Sequence, residues 1–174
     1  MSDDLLARVE ALEAERDILT TLYRYAHTID VGDADGWADC FTEDGAFNVT
    51  TRVDGYAPYM VKGRENLRDF IEHHTRPPAL WHKHMIVEPI FHIDGDTATG
   101  ETYFLVLMDH EDEPVVRVFG RYLDTLRKEA DGVWRFVERR PYLESIRHGL
   151  PPFAHGREAA DRAYAERSQA ASGT

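Results

Sequence analysis

A chain of 174 residues has enough material for one sizeable core and too little for two. Apolar residues at 43% and charged residues at 30% exclude a disordered chain. The net charge of -12, from 32 acidic against 20 basic side chains, argues against nucleic acid or an anionic membrane as partner.

No basic segment followed by an apolar run opens the chain, and nothing approaches the roughly 18 apolar residues that span a bilayer, so a cytoplasmic location is expected. Cys40 is the only cysteine, which leaves no intrachain disulfide and no thiolate cluster.

Between Asp4 and about Asp30, Leu5, Val9, Leu12, Leu19, Leu22, Ala26 and Ile29 recur at three- and four-residue steps without Gly or Pro. This predicts a long amphipathic helix, capped by Ser2 or Asp3 and ended by Gly32. Trp37 to Phe41 predicts a second, short helix, Glu43-Asp44-Gly45 a turn, and Ala46 to Thr51 a strand. Pro58 and the nearby glycines make residues 52–63 irregular. Helical spacing resumes from Arg64 to His74 through Leu67, Phe70 and Ile71, closed by Pro77-Pro78.

Four β-rich runs follow, at about 80–93, 97–109, 114–127 and 133–146. They are separated by Asp94-Gly95-Asp96, by His110 to Glu113 and by Ala130-Asp131-Gly132. Helices first and an antiparallel meander afterwards predict an α+β domain over residues 1–147, with the helices on one face of a curved sheet enclosing one pocket. Residues 148–174 read as an extension, with Arg157 to Gln169 helical, placed to cover the pocket or a neighbouring subunit.

Several strings resemble the SnoaL-like group of the NTF2-like superfamily. Tyr25-Ala-His-Thr-Ile-Asp30, with Asp33 to Phe41 and Thr42 to Ala46, is similar to its opening. Lys62 to Glu65 resembles the entry to its third helix, His84 to Gly100 its histidine-bearing strand and hairpin, and Gly120 to Tyr122 with Asp131 to Trp134 its last two strands. The resemblance spans about residues 5–146. It implies a cystatin-like cone with a strongly curved, mostly antiparallel sheet.

Scytalone dehydratase, bile acid 7α-dehydratase, hexachlorocyclohexane dehydrochlorinase and polyketide cyclases belong to the superfamily, and several act through a His-Asp pair without a cofactor. The resemblance therefore assigns Asp30 and His84 as that pair, Tyr25 as a pocket tyrosine, and a homo-oligomer, a trimer before a dimer. Two positions depart from the pattern: relatives often carry Asn where Glu88 stands, and Val106 occupies a position where bile acid dehydratases carry a further carboxylate.

The chemistry of these residue types fits elimination or isomerisation beside a carbonyl. A neutral imidazole accepts a carbon-bound proton, and a carboxylate on its other nitrogen fixes the tautomer and stabilises the imidazolium. Read alone, Asp30 is a polar residue ending a helix and His84 a core or surface histidine. Period-two alternation places His82, His84, Ile86, Glu88, Ile90 and His92 on one strand face unless a bulge intervenes, which gives Glu88 either a pocket position or one at the mouth, solvated or paired with Arg117, Arg139 or Arg140. Trp81, Phe104, Phe119 and Tyr122 are candidates for the pocket lining.

Two other readings compete. His82, His84 and Glu88 reproduce the spacing of a cupin-type metal motif, although its leading glycine would fall at Arg76. The same fold also serves non-catalytic ligand carriers and the β subunits of ring-hydroxylating dioxygenases. The favoured expectation is a lyase or isomerase that needs no metal and no cofactor.

Overall fold

A computed structural model describes residues 3–151 and 153. In chain order the elements are α1 (Asp3–Val31), α2 (Ala34–Ala38), β1 (Phe41–Thr51), β2 (Tyr59–Lys62), α3 (Arg64–Glu72), β3 (His82–Asp94), β4 (Thr97–His110), β5 (Glu113–Lys128) and β6 (Trp134–Ile146). The strands form one sheet in the order β2-β1-β6-β5-β4-β3, curled but not closed. Every neighbouring pair is antiparallel except β1 with β6. The parallel pair is possible because a long stretch of chain, not a tight turn, joins those two strands.

Three local details differ from the expectation. β2 arises inside the segment read as irregular, because the four residues between Pro58 and Gly63 suffice to pair with Ala46–Val49. Glu43-Asp44-Gly45 is not a turn but a register shift within β1, between Phe41 and Ala46. A side chain at Gly45 would lie 2.9 Å from the Phe136 carbonyl, so the strand needs glycine there. The second helix starts earlier than Trp37, because the Asp33 carboxylate accepts the Gly36 N–H at 2.9 Å and caps it. The expected cap at Ser2 and the helix expected from Arg157 to Gln169 lie outside the described residues.

The apolar stripe of α1 is buried only from Ile18 onward, through Leu22, Tyr25, Ala26 and Ile29, while Leu5 and Leu12 stay exposed. Each large side chain so buried contributes about 1.5–3 kcal/mol, which is enough to fix the end of α1 against the concave face of the sheet. Tyr25 stands at the centre of an aromatic cluster, with ring centroids 5.5 Å from Trp37, 5.8 Å from Tyr122 and 5.9 Å from Phe136.

An ion pair lies in the same core. Arg139 on β6 and Asp124 on β5 are register partners, and the guanidinium grips the carboxylate at 3.0 and 2.8 Å with neither side chain exposed. The cation is stacked against the rings of Tyr25, Tyr122 and Phe136 at 4.1, 4.0 and 4.2 Å. The convex face of the sheet carries Met85, Tyr103 and Phe119 exposed. Among the described residues no helix is long and apolar enough to cross a membrane.

Candidate active site

Asp30 sits in the last turn of α1, where the helix dipole disfavours a carboxylate. Three hydrogen-bond contacts from β3 offset that cost. The His84 backbone N–H donates to both carboxylate oxygens, at 3.0 and 3.3 Å, and the His84 imidazole meets Oδ1 through Nδ1 at 2.8 Å. With its proton on Nδ1, shared with Asp30, the ring keeps its lone pair on Nε2. The 54 positions between the two residues are closed by α1 packing across β3.

His84 lines a cavity of about 180 Å³ between the helices and the concave face. Tyr25 and Ile29 of α1, Phe104 and Val106 of β4, and Tyr122 of β5 form walls around it. Phe104 and Tyr122 are stacked at 4.2 Å. The Tyr25 and Tyr122 hydroxyls are hydrogen-bonded to each other, and burial holds both phenols well above their ordinary pKa. Both therefore stay un-ionised at physiological pH, and the pair keeps one O–H beyond its internal hydrogen bond. Phe153, beyond the last strand, covers one side: its ring lies 4.9 Å from that of His82, 5.0 Å from His74 and 6.4 Å from His84.

Three of the eight residues singled out from the sequence are elsewhere. Glu88 is turned out to solvent because β3 carries a bulge between Val87 and Ile90, with Glu88 at φ +50°. The extra residue reverses the face of everything after it, so Phe91 and Ile93, not Ile90 and His92, pack on the core. Neither does Glu88 reach Arg117, Arg139 or Arg140: within hydrogen-bond distance, Arg139 holds Asp124. Trp81 is 58% exposed, since it alternates with the inward-facing His82. Phe119 is 48% exposed, because it stands three residues from Tyr122 on a strand without a bulge between them.

His82 is a residue whose place the sequence left open. It is buried, its Nδ1 lies 3.4 Å from the Leu80 carbonyl, and its Nε2 lies 3.7 Å from Asp30 Oδ1. Donor atoms of Asp30, His82 and His84 all fall within 4.8 Å of one another, a set that suits either a divalent metal or a proton-handling dyad with a neutral neighbour. Glu88, the third ligand of the cupin-type reading, is not part of it.

Burial, followed by the neighbouring His84, pushes the His82 pKa down to about 4 from 6.5, against the pull of Asp30. An imidazole that is neutral when folded and protonates when unfolded contributes stability that is complete above pH 6.5 and is lost as pH falls from there towards 4. The effect is on the order of 3 kcal/mol. Urea midpoints measured from about pH 7 to about pH 4.5 should fall more steeply for the wild type than for His82→Leu. Parallel slopes would contradict the assignment.

The SnoaL-like domain family matches residues 10–140, and the chain belongs to it. Among solved structures, Rv3472 of Mycobacterium tuberculosis, a protein of unknown function, is 32% identical over 79% of this chain and 75% of its own, with a TM-score of 0.68. An NTF2-like protein with a cystatin-like fold from Novosphingobium aromaticivorans is 24% identical over 94% and 96%, with a TM-score of 0.70. The β subunit of a putative aromatic-ring-hydroxylating dioxygenase from the same organism is 21% identical over 79% and 93%, with a TM-score of 0.65. A search of curated proteins returns no match.

Proposed function

We propose that this SnoaL-like protein is a cofactor-independent lyase or isomerase of the dehydratase or cyclase type. Its substrate is a small, hydrophobic, cyclic oxygenated compound. The observation that carries this reading is the 2.8 Å contact between His84 Nδ1 and an Asp30 carboxylate that two further contacts hold in place, on the wall of an aromatic cavity.

His84 accepts a carbon-bound proton at Nε2, and Asp30 stabilises the imidazolium that results. The hydrogen-bonded Tyr25–Tyr122 pair supplies one neutral O–H donor for negative charge developing on a substrate oxygen. Arg139, stacked behind both rings, favours that charge at short range. The likeness to a dioxygenase β subunit supports a second reading, a non-catalytic assembly module, in which the cavity binds without turnover.

The test is a screen of hydroxylated carbonyl compounds and polycyclic aromatics for thermal stabilisation, followed by turnover assays of the hits. Protein purified without added metal should be fully active, and EDTA should leave its rate and melting temperature unchanged. About one tightly bound transition metal per chain, with activity lost on chelation, would instead make His82, His84 and Asp30 a metal centre. Hits that bind without any turnover would favour the assembly module.

A further inference from the structure

β5 carries a bulge opposite β4. Val118 pairs with Val106 and Val116 with Leu107, so Arg117 is the extra residue between them. A bulge re-aims a side chain that strict alternation would place otherwise. Here it turns two consecutive residues, Arg117 and Val118, towards the cavity that His84 lines. Three other arginines of the last two strands are held by carboxylates: Arg121 by Glu144, Arg135 by Asp131 and Asp39, Arg139 by Asp124. Arg117 has no carboxylate within ion-pair distance among the described residues.

What it has is weaker. Nη1 donates to the Pro151 carbonyl at 2.6 Å and approaches Met108 Sδ at 3.5 Å, while the guanidinium lies 4.5 Å over the Phe153 ring. These contacts fix the plane of the guanidinium without neutralising it. Burial pushes its pKa down from the ordinary arginine value, with only Tyr56 opposing. A half-buried cation facing a largely aromatic cavity with no counter-charge in ion-pair reach is costly unless an anion completes it.

We propose that Arg117 is an anion subsite and that the cavity takes a planar aromatic ligand bearing a carboxylate. The acid group lies against the guanidinium and the ring lies between the Phe104–Tyr122 stack and His84. Arginine matches a carboxylate through two parallel N–H bonds, and a ligand acid would use the nitrogens that Pro151 leaves free. This rests on the lyase or isomerase reading only for calling the ligand a substrate; the subsite stands on the cavity and the unpaired guanidinium.

Isothermal titration of the full-length protein with 2-naphthoate and benzoate, against 2-naphthamide and benzamide, tests it. Each pair has matched shape and differs in charge. The wild type should bind at least one acid about tenfold or more tightly than its amide. Arg117→Gln should erase that preference, Arg117→Lys should keep part of it, and His84→Ala should keep it whole while any turnover is lost.

Equal affinity of acid and amide in the wild type, or no binding of any of the four, would overturn the subsite. So would a preference that survives Arg117→Gln but disappears in His84→Ala, since the cation would then be the imidazolium. The wild-type comparison needs no variant to fold. An acid preference without turnover of any screened compound would retain the subsite and count against the catalytic reading alone.

Discussion

Replacing His84 with alanine is expected to lower the reaction rate by about 10²–10⁴-fold while leaving the fold intact. The His84 imidazole stands on the cavity wall with Nδ1 held by Asp30, and its loss removes the acceptor for the substrate proton. Asp30→Asn should cost a similar amount, although the new amide can still accept the His84 backbone N–H. It can no longer stabilise an imidazolium, and its NH₂ group can meet Nδ1 as a donor and favour the wrong tautomer. The double variant should be little worse than either single one, because base and orienting partner act as a unit.

His82→Ala should cost less than about tenfold, since a neutral ring flanking Asp30 tunes the dyad without touching the transferred proton. The comparison needs an established substrate, circular dichroism to confirm folding, and kcat with KM for each variant. Full rates in both His84→Ala and Asp30→Asn would remove the dyad from the mechanism. Equal damage from His82, His84 and Asp30 variants, with a bound metal, would replace it by a metal centre.

The elements that carry a strong local signal were legible in the sequence. The runs at 97–109 and 114–127 lie within one residue of β4 and β5 at both ends, because the Asp-Gly turns outside them, the polar His110 to Glu113 link between them and β-branched alternation are local facts. The Asp30–His84 contact was legible only through resemblance, since nothing local in a helix end and a strand 54 residues later announces it.

The unexpected faces of Glu88 and Arg117 share one physical cause. A bulge shifts the face of every residue beyond it, and neither Glu88 nor Arg117 has a composition that marks it as the extra residue of a strand. Phe119 is different: simple alternation from Tyr122 already puts it on the outer face. Arg139, read as a candidate partner of Glu88, was not recognised as buried, because an arginine on a strand normally reads as solvated and its carboxylate partner stands on the neighbouring strand, 15 positions away in sequence.

That buried pair supports the largest stability prediction. Asp124→Ala leaves the Arg139 guanidinium inside an aromatic cage with no counter-charge, and Arg139→Met leaves a buried carboxylate in the same position. Each is expected to cost about 3–5 kcal/mol, which for a chain of this size lowers the melting temperature by roughly 10 °C or more. The aromatic rings offset only part of the loss in Asp124→Ala, because a cation–π contact is worth about 2 kcal/mol when desolvated.

The double variant Asp124→Leu/Arg139→Met removes both charges and fills the space with apolar groups. It should recover most of the stability lost in either single variant, since an ion pair pays two desolvation costs that a hydrophobic pair avoids. The Arg139 Nη1 atom, buried without a hydrogen-bond partner, shows that the native pair is already incompletely satisfied. Activity should not recover with stability. The double variant lacks the cation stacked behind Tyr25 and Tyr122, so the hydrogen-bonded pair becomes a poorer donor to a developing oxyanion, and kcat should stay depressed while KM changes little. Urea denaturation and steady-state kinetics on the same three proteins separate the two effects. Single variants within about 1 kcal/mol of wild type would show that the pair is not electrostatically isolated from solvent. A double variant with wild-type kcat would confine Arg139 to the fold.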